Sequence, residues 1–154
     1  MAKPTGQEIN NLGRYFAITS NNEFWRLSEK ELSSDEKRDI LSSAFTSLYH
    51  WKQVGNDENK YLAYLALARA LTINNISELA VDYATEAYEF FLNTDQKWIS
   101  AFTHAILSHA FLISGDSDKA VTYYNEARQI GELLEPEDKQ IFDATFNLIP
   151  QPEM

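Results

Sequence analysis

The chain has 154 residues, 44% of them apolar and 13% aromatic, and this length predicts a single domain whose core is large enough to fold without disulfides. It contains no cysteine, which excludes disulfide frameworks, cysteine-ligated metals and thiol catalysis. Thirteen basic residues against 23 acidic residues give a net charge of −10, and an acidic surface repels phosphate. We therefore expect neither nucleic acid nor a membrane as a partner.

The excess negative charge lies entirely in residues 78–154, which contain fourteen acids and four bases. This asymmetry permits a basic protein partner without implying one, and a need for solubility alone is the favoured explanation. No apolar run is long enough for a transmembrane helix, and the first residues lack the apolar stretch of a signal peptide. The sequence thus predicts a cytoplasmic protein.

Helical periodicity runs through the whole sequence. Apolar residues recur at spacings of three and four, and no segment alternates between apolar and polar residues as a strand does. The predicted fold class is all-α. The predicted helices, in chain order, span residues 5–18, 20–31, 34–54, 57–73, 76–93, 96–114, 117–131 and 136–148.

Several short motifs predict where these helices begin and end. A Ser, Thr or Asn followed three residues later by Glu can form a capping box. Such pairs are Thr5 with Glu8, Ser20 with Glu23, Ser33 with Glu36, and Asn75 with Glu78. Gly55 and Gly115 follow apolar runs and suit the left-handed position after a helix, and Pro136 suits a first turn.

An internal repeat appears when the sequence is shifted by 40 residues. The shift aligns residues of similar size in three predicted helix pairs: Leu27, Leu67 and Leu107; Ser28, Ala68 and Ser108; Ile40, Ala80 and Ala120; Ser47, Ala87 and Ala127. Small side chains let two helices cross closely, so their recurrence predicts the same crossing three times. The predicted hairpin units are about 21–54, 61–94 and 101–134, stacked in one domain over residues 1–154 and closed by a capping helix at about 136–148.

This pattern resembles the tetratricopeptide repeat. The similarity is strongest in residues 101–134, where Leu107, Ser108, Phe111, Gly115, Ala120, Tyr124 and Ala127 stand at the family's characteristic positions. The period of 40 exceeds the family's period of about 34, and the family's terminal proline is missing from all three units. The resemblance implies stacked antiparallel hairpins in an α-solenoid, or superhelix.

The whole chain also resembles a group of small, uncharacterised bacterial tetratricopeptide-like proteins. The shared segments are Asn21-Asn22-Glu23-Phe24-Trp25, and His50-Trp51 followed by Val54-Gly55. This second resemblance supports the fold and implies no activity.

The first helix of each pair lines a concave groove in the tetratricopeptide family. The resemblance therefore implies a partner-binding surface that contains Asn22, Trp25, Glu29, Leu65, Arg69, Thr72, Phe102 and His109. Trp and Arg are the residue types that most often anchor protein interfaces. The chaperone-tail binders of the family clamp a carboxylate with Lys and Asn, but those positions hold Trp25, Glu29, Ala66, Phe102 and Ile106 here, so that partner is disfavoured.

No constellation of catalytic or metal-ligating residues is apparent. His104 and His109 are five residues apart, about 140° around a helix, and cannot chelate one ion from one face. Phosphate-binding glycine loops, the His-Glu-x-x-His motif and the nucleophile elbow are all missing. We expect no metal and no cofactor, with His104 in the core and His50 at a helix end.

The sequence leaves three functions open. The favoured one is a non-enzymatic protein–protein interaction module or scaffold that binds a peptide or helix segment in the groove, or pairs with itself. The second is a small-molecule sensor or enzyme that uses Tyr49-His50-Trp51. The third is a homo-oligomeric structural protein, in the simplest case a homodimer, held together by exposed aromatic residues.

Overall fold

The computed structural model describes residues 2–153. These residues form seven α-helices joined by short connections, and they contain no β-strand. The all-α class is therefore confirmed. The helices are α1 (Gly6–Ser28), α2 (Ser34–Val54), α3 (Asp57–Ile73), α4 (Ser77–Phe91), α5 (Lys97–Ser114), α6 (Ser117–Glu132) and α7 (Pro136–Phe146).

Two of the predicted capping boxes are confirmed. The Thr5 hydroxyl accepts a hydrogen bond from the Glu8 amide at 3.1 Å, and the Glu8 carboxylate accepts one from the Thr5 amide at 2.7 Å. Ser33 and Glu36 form the same pair at the start of α2. Pro136 is the first residue of α7, as predicted. Each box satisfies two backbone donors that a helix start otherwise leaves unpaired.

The predicted break between residues 18 and 20 is wrong, because α1 runs without interruption from Gly6 to Ser28. Ser20 lies inside this helix and caps nothing. Gly13 is a point of close approach to α2, where an added Cβ would lie 3.0 Å from the Val54 side chain. The first hairpin therefore begins well before residue 21.

Two further end signals differ from expectation. Asn75 does not cap α4; it takes a left-handed conformation with φ of 57° just after α3, and α4 follows Ile76 without a side-chain cap. Gly55 is extended, with φ of −97° and ψ of 179°, so its predicted left-handed conformation is wrong. Gly115 has φ of 93° and confirms the prediction. Asn and Gly are the residues that tolerate this left-handed region best.

The helices pack as neighbours in chain order, and the odd-numbered helices also form a row. Every helix contacts the next one along the chain, while α1 contacts α3, α3 contacts α5, and α5 contacts α7. Helices α3 and α5 are the central members of this row. Residues 63–72 of α3 and 105–110 of α5 are buried without a gap, as expected of helices covered on all sides.

The residues aligned by the 40-residue shift lie in this core. All twelve members of the four sets named above are at most 1% exposed. Two of the serines also tie helices together, since Ser47 donates to the Ala17 carbonyl at 3.2 Å and Ser108 donates to the Ala120 carbonyl at 2.7 Å. None of the helices described is long and apolar enough to cross a bilayer.

Gly131 sets the distance between α6 and α7. A Cβ at this position would lie 2.5 Å from the Phe142 ring, so Gly131→Ala should force α7 outward and lower the free energy of unfolding by about 1–3 kcal/mol. Gly6→Ala is the control, because a Cβ there meets nothing within 4 Å. Denaturant unfolding of both variants measures the difference; equal stabilities would contradict the close α6–α7 contact.

Candidate binding site

A cavity of about 140 Å³ lies where the four odd-numbered helices meet. We call it the central cavity. Its lining residues come from α1, α3, α5 and α7, and most of them are apolar: Asn21, Phe24, Trp25, Ser28, Leu62, Leu65, Ala66, Arg69, Trp98, Phe102, Ile106 and Thr145. The row of helices thus converges on one small, largely apolar space.

Aromatic rings form one wall of the central cavity. The Trp25 and Phe102 rings meet edge to face, with centroids 5.3 Å apart. Phe102 also makes edge-to-face contacts with Trp98 at 6.4 Å and with Phe142 at 5.4 Å. Because edge-to-face pairs favour a particular geometry, these contacts hold the buried Phe102 ring in place between α1 and α7.

Two open clefts adjoin the central cavity. The acidic cleft shares Trp25, Trp98 and Phe102 with it and adds Glu29, Asp138 and Ile141. The lysine cleft shares Arg69 with it and is otherwise lined by Lys30, Glu31, Leu32, Lys37, Thr72, Ile73, His109, Asn147 and Leu148. The central cavity and the two clefts together form the binding face.

Arg69 and His109 meet inside the row of helices. Arg69 is 3% exposed, and its Nη1 lies 3.2 Å from Nδ1 of His109. Burial lowers the pKa of Arg69 to about 10, so the guanidinium stays charged at neutral pH. Burial, and then the charge of Arg69, lower the pKa of His109 to about 4. Because arginine only donates, the neutral His109 accepts through Nδ1 and carries its proton on Nε2.

Two residues that line the central cavity each have a buried polar atom without a hydrogen-bond partner within residues 2–153. The atoms are Nε of Arg69 and Oγ1 of Thr145, from residues that are 3% and 1% exposed. None of the ion pairs within residues 2–153 includes Arg69. An unpaired buried polar group costs stability, and folded proteins contain few of them. Both groups that carry this cost lie beside the same cavity.

The sequence-predicted groove residues are distributed over the binding face. Trp25, Leu65, Arg69 and Phe102 line the central cavity, Thr72 and His109 line the lysine cleft, and Glu29 lines the acidic cleft. Asn22 is exposed and lines none of the three, while its neighbour Asn21 lines the central cavity. The Thr72 hydroxyl donates to the Arg69 carbonyl at 2.7 Å.

Sequence reasoning missed Trp98 and Thr145. Trp98 precedes residue 101, where the third predicted unit begins, and the sequence predicts only a capping role for α7. One signal was present, because Thr145 interrupts an apolar stripe that contains Phe142 and Phe146. A polar residue in a stripe that faces the core indicates a buried hydrogen-bonding group.

The segment Tyr49-His50-Trp51 lies on α2, away from the binding face. Tyr49 is 64% exposed, and the half-buried His50 ring packs against Phe16 and Tyr49 at centroid distances of 5.5 and 5.3 Å. A role for this segment in a ligand site stays a prediction. Within residues 2–153, no group of three or more His, Asp or Glu side chains is placed to hold a metal ion.

His104 is half buried rather than fully buried. Its Nδ1 lies 2.7 Å from the Ser100 carbonyl, and its Nε2 lies 3.1 Å from a Glu126 carboxylate oxygen. Both ring nitrogens therefore have partners, which agrees with the expected structural role.

Comparison with known proteins adds no relative. No family model matches this chain, and no curated protein or solved structure is significantly similar to it.

The lowered pKa of His109 predicts a loss of stability in mild acid. The unfolded chain binds a proton on this imidazole near pH 6.5, whereas the folded chain does so only near pH 4, so stability falls as the pH drops between these values. From pH 7 to pH 5 the group should cost about 2 kcal/mol. Denaturant unfolding at both pH values measures it.

The matched variant is His109→Gln, which keeps an acceptor for Arg69 but does not titrate. It should lose less stability than the wild-type protein over the same pH interval by about 2 kcal/mol. His50→Gln controls for the loss of a less buried histidine. Equal pH dependence in the wild-type protein and His109→Gln would show that His109 is not held neutral.

Proposed function

We propose that this chain is a non-enzymatic binding protein that holds a short segment of another polypeptide against the binding face. The proposal includes a tetratricopeptide-like stacking of the helix pairs, in which the row of odd-numbered helices is the concave side. The partner is a peptide or a helix that crosses the row.

The shape of the binding face carries this proposal. The central cavity shares Trp25, Trp98 and Phe102 with the acidic cleft and Arg69 with the lysine cleft, so the three adjoin one another. The two clefts are larger and more open, whereas the central cavity, about 140 Å³, is by itself smaller than the roughly 300–1,000 Å³ of pockets that enclose a small-molecule ligand. It compares with a cavity of about 150 Å³ that holds a benzene molecule. A single side chain fills such a space, and the clefts accommodate the chain on either side of it.

The residue types on the face also fit a polypeptide partner. Trp25 is half buried between the central cavity and the acidic cleft, and Arg69 lies between the central cavity and the lysine cleft. Interfaces concentrate their binding energy in such residues, surrounded by a polar rim. Charged side chains lie around these residues, with Glu29 and Asp138 in the acidic cleft and Lys30, Glu31 and Lys37 in the lysine cleft.

Removing Trp25 should abolish peptide binding. The probe is a library of random seven-residue peptides on beads, with both free and blocked carboxyl ends. The affinities of the selected peptides are then measured in solution. We expect Trp25→Ala to weaken them by about 2 kcal/mol or more, which is at least about thirtyfold. Tyr15→Ala removes an aromatic ring that is 61% exposed on the same helix and should leave binding unchanged. A library without enriched peptides, or equal binding by both variants, contradicts the proposal.

A second candidate, a homodimer, is favoured by a different surface. Ile9, Leu12 and Phe16 lie on one side of α1 and are 56%, 52% and 44% exposed. On α2, Phe45 and Tyr49 are also exposed. We call these five residues the α1 patch. A group of exposed apolar side chains often marks an interface, and a two-fold dimer would cover the same patch on both copies.

The homodimer predicts a molar mass that depends on Leu12. If the α1 patch joins two copies, light scattering at two concentrations gives twice the chain mass for the wild-type protein and a single chain mass for Leu12→Lys. Leu92→Lys is the control, because Leu92 is 59% exposed at the end of α4 and outside the patch. A wild-type protein that is monomeric at both concentrations excludes this candidate.

A further inference from the structure

Arg69 is a buried cation whose charge no group within residues 2–153 balances. Its one side-chain hydrogen-bond partner is the neutral imidazole of His109, and no carboxylate among the described residues pairs with it. Burying a charge without a counter-charge is costly, and proteins normally offset the cost with an ion pair. Water could satisfy the Nε hydrogen but would leave the charge unbalanced. The missing component is therefore an anion.

The free hydrogen-bonding groups define what kind of anion fits. His109 occupies Nη1 of Arg69, so the opposite edge of the guanidinium, formed by Nε and Nη2, remains for another acceptor. This planar edge matches the two oxygens of a carboxylate. The buried hydroxyl of Thr145 lines the same cavity and supplies a third donor. A single buried cation balances a monoanion, which again fits a carboxylate better than a phosphate dianion.

The rest of the central cavity defines what the carboxylate is attached to. Apart from Arg69, Thr145, Asn21 and Ser28, the lining is aliphatic or aromatic. At about 140 Å³ the space holds one compact apolar group, about as large as a phenyl ring.

We propose that the central cavity binds a carboxylate carried by one compact apolar group, with the carboxylate on Arg69 and Thr145 and the apolar group against Trp25 and Phe102. The carboxylate can come from two sources. One is the C-terminal residue of a bound polypeptide, and for this source the inference rests on the proposed function. The other source with the same chemistry is a free aromatic or branched aliphatic acid.

The decisive measurement is the preference for a free carboxylate over its amide. The probes are N-acetylphenylalanine and N-acetylphenylalaninamide, which differ only in this group, and calorimetry at pH 7 gives both dissociation constants. We expect the acid to bind about ten- to a hundredfold more tightly, the range for hydrogen bonds to a charged group. Equal binding of acid and amide, or no binding of the acid, overturns the inference.

Two variants assign the preference to the named residues. Arg69→Met keeps a long side chain without charge and should abolish the preference for the acid. Thr145→Val keeps the shape of the side chain without its hydroxyl and should weaken acid binding about three- to tenfold while leaving amide binding unchanged. Because the Thr145 hydroxyl has no hydrogen-bond partner among the described residues, this variant should fold normally, so it tests the inference even if Arg69→Met is unstable. A preference for the acid that is unchanged in Thr145→Val overturns the assignment.

Two further probes separate the sources and the two proposals. If acetyl-Gly-Ser-Gly-Phe with a free carboxyl end binds more than tenfold tighter than 3-phenylpropionate, the source is a polypeptide end. If 3-phenylpropionate binds at least as tightly, the source is a free acid. Library peptides that bind equally with free and amidated ends leave the proposed function standing and exclude the polypeptide end as the source. If N-acetylphenylalanine and its amide also bind equally, this inference fails while the proposed function stands. Preferential binding of the acid without any enriched library peptide supports this inference and contradicts the proposed function.

Discussion

The close crossing of neighbouring helices is the constraint on which the rest of this structure depends. Ser28, Ala68 and Ser108 are fully buried, and side chains of this size let helix backbones approach. Close approach buries residues 63–72 of α3 and 105–110 of α5, so even a long polar side chain on α3 is largely removed from water. The unusual state of Arg69, charged and 3% exposed, follows from this packing rather than from any local motif.

A spacing of 40 residues separates Arg69 from the side chain that it meets, His109. The two residues lie on α3 and α5, which contact each other, and 40 residues is also the shift that aligns the four sets of buried residues. Glu29 lies 40 residues before Arg69, but it is exposed and forms no ion pair in the described part of the chain. The nearest acid at this spacing therefore does not neutralise the buried guanidinium.

Periodicity and chemistry were predictable from the sequence to different degrees. The apolar spacing predicted helices α2 to α7 within about two residues at each end, because burial of one face controls it. The predicted break at Ser20 was wrong, because a capping motif can cap only where a helix begins, and α1 continues through this position. Contact of α1 with α2, as at Gly13, favours one continuous helix. The unpaired states of Arg69 Nε and Thr145 Oγ1 depend on what surrounds them in three dimensions. No one-dimensional pattern contains that information.

The position of Thr145 on α7 links the cavity to the end of the chain. This helix has 11 residues, is the shortest of the seven described, and supplies both Thr145 and the Phe142 ring that packs on Phe102. A molecule bound in the cavity would contact this helix. Its binding would then be thermodynamically coupled to the local unfolding of α7, and hydrogen exchange at the α7 amides would slow.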